Sequence, residues 1–361
     1  MRKRLYIAVV TILVALWGCA KVEVAPVPAK RVSFAVGSYV PQTKAAVSLN
    51  SEGITSFSSK AYLYAEGVSG VQNFFPAAGE TITFNSAVPE WAPSHDYYWP
   101  KGAESYVNFV SWYDKNGAPA TASETSLVWT IDGSTRSLAE DDNIMFADVA
   151  WRYNDNATEY VATSGVSEGV PTLFHHALAR VTFAAKATPL SEGSTSWSVK
   201  ISNFRLEGVK QTGSLSLANA DPGSKGTRAW WTGTVGSAPA WSLTGSPADL
   251  ARPGVEFNLT EDGVAVPLLA TRSVLPQSTE NMVLKFNYEI RTDYDTTGSN
   301  YVVEKLSASI PLSEFSGGLD AWEMNQSITY TITVNPKTNL ILFDPSSIDW
   351  NEDPNNKMYL E

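Results

Sequence analysis

The single cysteine of this 361-residue sequence, Cys19, stands directly behind an apolar run and is the side chain best suited to covalent chemistry. A cysteine thiolate is a strong nucleophile and can accept a diacylglycerol group. The run from Leu5 to Trp17 is uncharged and follows the basic residues Arg2, Lys3 and Arg4, a pattern typical of a bacterial secretory signal. It is shorter than the roughly 20 residues of a membrane-spanning helix. We therefore expect an exported chain.

The stretch "LWGC" resembles the lipobox of bacterial lipoproteins, with Leu16 at −3 and Gly18 at −1 from the cysteine. Cleavage before Cys19 would leave a thiol that is diacylated and an amine that is acylated. Several acyl chains, at about 0.8 kcal/mol per buried methylene, hold a protein on a membrane where one chain would not. Trp17 at −2 departs from the usual motif. We expect a signal peptide at 1–18 and lipidation of Cys19; the alternative is an unmodified cysteine after an ordinary signal peptide.

The remaining candidates for chemistry are weak. His175 and His176 are neighbours, which point to opposite faces of a strand, and His95 lies in a separate Pro-rich loop. The acidic run at 140–142 lacks the spacing of an EF-hand and predicts a solvated loop more strongly than a calcium site. Phosphate-loop, G-x-S-x-G and H-E-x-x-H motifs are missing from the sequence. We expect no catalytic residue, cofactor or metal. One alternative is a pair of carboxylates, among the 37 acidic residues, spaced as in a glycoside hydrolase.

Composition favours β structure and argues against a nucleic-acid partner. Hydrophobic residues make up 43% of the chain and charged residues 17%, with 12 Trp, 15 Tyr and 14 Phe. The formal net charge is −11, whereas phosphate binding needs a basic surface. A set of tryptophans could form a sugar-binding platform, but we expect most of them in the core or in hairpins: Trp91, Trp99, Trp112, Trp129 and Trp151.

The sequence consists of short segments with alternating apolar residues, separated by turn-rich stretches. In 327–334 every second residue is apolar and the residues between are threonines. Strands are predicted over 31–37, 59–67, 105–117 (with Asn116-Gly117 as a hairpin signal), 179–187, 197–209, 213–217, 282–294 and 327–334. This spacing predicts β-sandwiches. The loop-like composition of 186–196 places a domain boundary there, which divides the chain into an N-terminal domain, 45–190, and a C-terminal domain, 191–338.

Several stretches in a fixed order carry a resemblance to a known family: "WPKGAESYVNFVSWY", "DDNIMFADVAW", "TLFHHALARVTFAAKA", "NFRLEGVKQTGSLSL", "SVLPQS" and "WEMNQSITYTITV". Behind the lipobox, they resemble the fimbrillin-like proteins of Bacteroidales, the major-subunit and Mfa-like lipoproteins of type V pili. The resemblance implies an all-β chain with two transthyretin-like β-sandwich domains in tandem. It also implies assembly on the outer membrane by proteolysis-assisted strand exchange, with other fimbrial subunits as partners and a host glycan or protein as a possible receptor.

In such families a trypsin-like protease removes a leader that includes the first strand. Here the lipidated leader would be 19–44, and its strand would place Val32, Phe34 and Val36 on one face. Cleavage between Lys44 and Ala45 would remove that strand; the family usually has Arg at this position. Arg31 is the alternative site, but a cut there would leave the strand attached.

The segment 339–361 is the candidate donor strand. It carries apolar residues that could fill the groove of another subunit: Leu340, Ile341, Leu342, Phe343, Ile348 and Trp350. An incoming strand would satisfy both the unpaired backbone and the apolar groove. The alternative is that these residues form the last strands of the C-terminal domain, and both can hold if the tail detaches during assembly.

We therefore expect a structural, non-enzymatic subunit of a fimbria at the cell surface and outer membrane, which supports adhesion or biofilm formation. The alternative is a monomeric surface lipoprotein that binds a glycan or a host protein through exposed Trp and Tyr residues. Filaments in sheared surface material would favour the first, and sugar binding by a permanently anchored chain would favour the second.

Overall fold

The computed structural model describes residues 30–38, 53–102, 104–136, 138, 142–154, 169–221, 226–233, 236–260, 265–314 and 319–350. These residues form strands and one short 3-10 turn, Leu312–Glu314, which confirms the all-β prediction. A search of the same residues for helices long and apolar enough to cross a membrane finds none.

The strands follow one another in short, turn-linked segments. The first twelve are β1 (Phe34–Ser38), β2 (Ser56–Tyr64), β3 (Gln72–Asn73), β4 (Glu80–Asn85), β5 (Glu90–Pro93), β6 (Tyr106–Asp114), β7 (Thr121–Ala122), β8 (Ser126–Ile131), β9 (Ile144–Ala147), β10 (Val149–Tyr153), β11 (Val170–His176) and β12 (Ala179–Ala187). The others are β13 (Ser191–Glu192), β14 (Thr195–Val209), β15 (Thr212–Ala218), β16 (Thr227–Ala229), β17 (Thr232–Gly233), β18 (Trp241–Thr244), β19 (Ala248–Asn258), β20 (Val266–Val274), β21 (Gln277–Ser278), β22 (Val283–Asp293), β23 (Tyr301–Pro311), β24 (Ala321–Trp322), β25 (Gln326–Asn335) and β26 (Leu340–Asp349).

A closed ring of strands organises the N-terminal part of the chain. Its order is β6, β9, β11, β1, β5, β4 and β2, and β2 pairs back onto β6. The pair between β1 and β11 is parallel, while the described pairs around the rest of the ring are antiparallel. Buried side chains of these strands form one hydrophobic cluster, the N-terminal core, which includes Phe34, Phe57, Phe109 and Phe174. The ring is closed because β1 links β11 to β5.

Two sheets enclose the C-terminal core. One has the order β20, β12, β25, β26, and the other has β13, β14, β22, β23, with β19 on the second edge of β14. Alternation places every second residue of β25 inside: Ile328, Tyr330, Ile332 and Val334 are all fully buried. The rings of Phe183 and Phe204, one from each sheet, lie 5.6 Å apart. This half of the chain therefore packs sheet on sheet.

A third cluster, the shared core, joins residues from both parts of the chain. It includes Trp129 of β8, Leu215 of β15 and Trp350. Pairing crosses residue 190 in the same way, because β8 pairs with β15, β10 with β16, and β12 with β25. The division into 45–190 and 191–338, and the transthyretin-like form of each half, stay predictions.

Candidate functional site

The predicted removable strand lies in the closing position of the ring. β1 pairs in parallel with β11 from Phe34↔Val170 to Ser38↔Phe174, and it meets β5 at Phe34↔Trp91. An additional hydrogen bond runs from the Val170 amide to the Ser33 carbonyl, at 2.8 Å. Both edges of β1 are therefore engaged by strands that come later in the chain.

The three side chains predicted to share one face of this strand are buried. Val32 and Phe34 are fully buried and Val36 is 2% exposed. The Phe34 ring packs edge-on against Phe57 and Phe109, with centroid distances of 5.8 and 5.5 Å. Burying a side chain of this type contributes about 1.5–3 kcal/mol relative to an exposed one. This strand is thus a substantial part of the N-terminal core.

The chain just before β1 is held by the loop at 94–99. The Val32 amide donates to the Tyr97 carbonyl at 2.8 Å, and the Trp99 amide donates to the Lys30 carbonyl at 3.1 Å. Arg31 pairs with Asp96 at 2.8 Å, and its side chain is 44% exposed. Arg31 precedes β1, so a cut after it leaves Phe34–Ser38 on the C-terminal product. Cys19, Lys44 and Ala45 lie outside the described residues.

Glu80 at the start of β4 fixes this loop. Its side chain is 3% exposed and accepts hydrogen bonds from the Ser94 hydroxyl and, at 3.0 Å, from the Tyr97 hydroxyl. The Nδ1 atom of His95 lies 3.0 Å from Glu80 Oε1. Burial opposes ionisation of Glu80, but hydrogen bonds from Ser94, His95 and Tyr97 to the charged form outweigh it, so its pKa is lowered. The carboxylate thus positions the loop that binds the segment before β1.

The tail strand β26 lies at one edge of its sheet. It pairs with β25 along its whole length, from Leu340↔Asn335 to Asp349↔Gln326. Ile341 and Phe343 pack on the C-terminal core, whereas Leu340 and Leu342 are 50% and 52% exposed. Residues 340–349 thus form the last described strand, which carries apolar residues on both faces.

Trp350 fastens the end of this strand in the shared core. The indole is 6% exposed and stacks on the His176 ring, with centroids 4.3 Å apart and planes at 14°. The guanidinium carbon of Arg180 lies 4.1 Å from the indole centroid, and the Trp350 amide donates to the Asn325 carbonyl at 2.8 Å. We call His176, Arg180 and Asn325 the Trp350 socket. The tail is therefore held at two cores, by Ile341 and Phe343 at one end and by Trp350 at the other.

Some polar atoms of Trp350 and its socket are buried without hydrogen-bond partners among the described residues. Trp350 Nε1 and both polar side-chain atoms of Asn325 are buried without a hydrogen-bond partner among the described residues. A buried polar group left unpaired costs about 1–3 kcal/mol. Part of the free energy gained by burying the indole is therefore offset.

The histidines and the acidic run make structural contacts. His175 and His176 point to different partners, as expected for neighbours on a strand: His175 Nε2 lies 2.9 Å from Asp148, and His176 Nδ1 lies 2.9 Å from Asn143. Asp142 pairs with Arg136 at 2.8 Å. Glu140 and Asp141 lie outside the described residues. A search of the described part of the chain finds no group of three or more His, Cys, Asp and Glu residues that could hold a metal ion.

Most tryptophans are core residues and do not form an exposed platform within the described ranges. Trp99 and Trp197 are half-buried, and Trp230 is 54% exposed. The buried ones are Trp91, Trp112, Trp129, Trp151, Trp231, Trp241, Trp322 and Trp350. Four of the five tryptophans expected in the core are thus buried, and the fifth, Trp99, packs against the N-terminal core.

Sequence reasoning missed the residues that hold the two strands in place. Glu80 and the Trp350 socket act through partners that are distant in sequence or not marked by any motif. The sequence pattern predicts strand β12, but it predicts neither the contacts from Glu80 to the 94–99 loop nor the contact from Arg180 to Trp350. The roles of these residues follow only from the three-dimensional contacts between strands and loops.

Most of the chain matches a known protein family. Residues 42–350 match the model of a family described as fimbrillin-like. The match begins after β1 and ends at the residue in the socket. A search of curated proteins finds no similar sequence.

Two solved structures that match this chain come from fimbrial proteins. A fimbrial protein from Bacteroides vulgatus is 13% identical, with a TM-score of 0.55, and the match covers 89% of this chain and 99% of that one. A fimbrilin from Porphyromonas gingivalis is 12% identical, with a TM-score of 0.36, and covers 89% of this chain and 97% of that one. The TM-score of the first match, at 13% identity, indicates a common fold and nothing beyond it.

Proposed function

Since the chain belongs to the fimbrillin-like family, we propose that it is a structural subunit of a fimbria that polymerises by donor-strand insertion. In this proposal the precursor is exported as a lipoprotein through Cys19 and carried to the outer membrane. Proteolysis between Lys44 and Ala45 then removes the leader with β1, and the polymer supports adhesion or biofilm formation.

The observation that carries the proposal is the place of β1 in the ring. Among the described residues it is the first strand, and it closes the ring between β11 and β5. Its loss would unpair the β11 edge over five residues and expose the aromatic contacts of Phe34. A strand from a second subunit would restore the backbone pairing and the apolar contacts together.

The position of β1 supports cleavage at Lys44. β1 ends at Ser38, so a cut between Lys44 and Ala45 separates the whole strand from the rest of the chain. A cut after Arg31 does not. The family match, which starts at residue 42, supports a mature subunit that begins close to Ala45.

The tail strand has the features that a donor needs. β26 occupies a sheet edge, so its release breaks one set of strand hydrogen bonds, which insertion into another subunit re-forms. β1 is buried on both faces, since Ala35 is 7% exposed and its neighbours are buried, and β26 likewise offers apolar residues on both faces. The same segment can thus be the last strand of the monomer and the donor in the polymer.

The test is the N-terminal residue and intact mass of the chain recovered from sheared surface filaments. The expected result is a chain that begins at Ala45 and carries no lipid. Filaments built from chains that keep a triacylated Cys19 and the β1 strand would overturn the proposal. Failure to find this chain in any filament would also do so, and would favour a permanently anchored monomer.

A further inference from the structure

A trough of about 570 Å³ lies on the outer face of the C-terminal sheet that contains β14, β19, β22 and β23. We propose that it is a binding site for a neutral, hydroxyl-rich saccharide. The site lies on a different sheet from β26 and does not involve β1, so the inference goes beyond the function proposed above and does not depend on strand exchange.

Cross-strand register builds the trough from two adjacent rows of residues. In the first row, Ala251, Arg205, Lys285 and Ser309 lie side by side on β19, β14, β22 and β23. In the second row, Asn287 pairs with Ser307, and Asn203, Pro253 and Asp249 also line the trough. Short side chains at the ends of both rows leave room that Lys or Glu would fill.

A bulge in the central strand β14 shapes the floor. Asn203 has a positive φ of 52°, an uncommon conformation for a residue other than glycine. The register of β14 shifts around it against both neighbours, β19 and β22. Bulges bend a strand and are frequent next to binding sites. The sheet is thus hollowed where the two rows lie.

Ion pairs border the trough on the same face of the sheet. Toward one end, Lys200 pairs with Glu256 at 3.3 Å and Lys305 with Glu289 at 3.6 Å. Toward the other, Glu207 pairs with Arg205 at 3.0 Å and with Lys285 at 2.6 Å. Such cross-strand pairs are usual for an exposed sheet face. Arg205 and Lys285 also line the trough, and the short uncharged residues beside them leave it open.

The polar side chains inside the trough are available to a ligand. Five of them have no side-chain hydrogen bond or ion pair among the described residues: Asn203, Asp249, Asn287, Ser307 and Ser309. Amide and hydroxyl groups both donate and accept, which suits the vicinal hydroxyls of a sugar. Because Glu207 already pairs with both cations, and Asp249 adds a negative charge, the site favours a neutral saccharide over an anionic one.

The volume agrees with this ligand class. Small-molecule sites measure about 300–1,000 Å³, and the trough falls within that range. An open, polar site of this kind gives weak binding per subunit. Repetition along a polymer would raise the avidity without any new contact.

The experiment is a calorimetric titration of the full exported chain with three neutral probes, maltopentaose, mannopentaose and galactopentaose. Binding of at least one is expected, in the millimolar range. Asn287→Ala should weaken it about tenfold, and Ser307→Lys, which fills the trough, should abolish it. Both residues are exposed, so thermal unfolding of the variants should match that of the parent chain.

Lys305→Ala is the matched control, because Lys305 lies on β23 two residues from Ser307 but outside the trough lining. Its binding should stay within about twofold of the parent chain. The proposal is overturned if none of the three probes binds, if Ser307→Lys binds as well as the parent chain, or if oligogalacturonate binds more tightly than every neutral probe.

Discussion

The indole of Trp350 stacks on the imidazole of His176, with ring centroids 4.3 Å apart and planes at 14°. This contact joins the residue after the last described strand to β11, the strand that pairs with β1. β11 therefore contacts both the strand proposed to leave and the end of the segment proposed to be donated.

Trp350→Ala should destabilise the chain by about 3 kcal/mol or more, because it removes a buried indole together with its stacking and cation–π contacts. Amide hydrogen exchange of residues 340–349 should accelerate more than that of β12. The matched control, Trp230→Ala, truncates a tryptophan that is 54% exposed and should change the free energy of unfolding by well under half as much. Unchanged exchange in 340–349 would show that Trp350 does not hold the tail strand.

Phe34→Ala should cost the leader-containing precursor about 3–5 kcal/mol, because Phe34 is fully buried against Phe57 and Phe109. Denaturant unfolding of the precursor measures this. The variant should also lose its cleaved leader more readily, seen as faster dissociation of the 19–44 fragment after proteolysis. A loss of stability below about 1 kcal/mol would contradict the place of β1 in the ring.

Lys44→Ala should block maturation and polymer formation, whereas Arg31→Ala should leave both intact. The reason is that only a cut between β1 and the rest of the chain frees the β11 edge. Electron microscopy of surface filaments and N-terminal sequencing are the measurements. Normal filaments from the Lys44 variant would show that the cleavage site lies elsewhere.

Leu342→Asp should leave the monomer folded and stop its polymerisation. Leu342 is 52% exposed in the monomer, so the change should alter the unfolding free energy by about 0.5 kcal/mol or less. In a groove that buries both faces of its strand, the added carboxylate would be unpaired, which is strongly unfavourable. Leu342→Met is the conservative control. Filament assembly by the Asp variant at the parental rate would remove β26 from the donor role.

Glu80→Gln should weaken the hold on the segment before β1 and remove a pH dependence. The pKa of Glu80 is lowered from its ordinary value of 4.5. The ionised carboxylate is therefore more stable in the folded state than in the unfolded state. That contribution is present above the unfolded pKa and is lost as pH falls through the folded pKa. Thermal unfolding of the parent chain and the variant should therefore differ at pH 6 and converge as the pH falls below 4.5. A constant difference across that range would contradict the ionised Glu80 network.

Local features of this fold could be predicted because alternation is a property of each strand alone. The period of two over 327–334 places Ile328, Tyr330, Ile332 and Val334 in the core, where they are fully buried. Strands predicted at 179–187 and 282–294 are observed as β12, over the same residues, and as β22 at 283–293. Val32, Phe34 and Val36 are buried for the same reason.

Pairing partners could not be predicted in this way. Asn116-Gly117 suggested a hairpin after β6, but the edges of β6 are taken by β2 on one side and by β9 and β10 on the other. β7 pairs with β8 instead, and β8 with β15. The hairpin expectation was wrong because the choice of partner depends on how distant segments fill a common core.

The sequence by itself determined the strand-rich composition, the inward faces of the strands, the export signal pattern and the resemblance to fimbrillin-like proteins. Only the tertiary structure decided that β1 closes a ring, that Trp350 lies in a socket of three other segments, and that short residues of four strands line one trough. The physical reason is the range of the interactions involved. The face of a strand on which a side chain lies follows from the local backbone. The closed ring, the stacked rings of Trp350 and His176 and the trough form from residues that are distant in sequence.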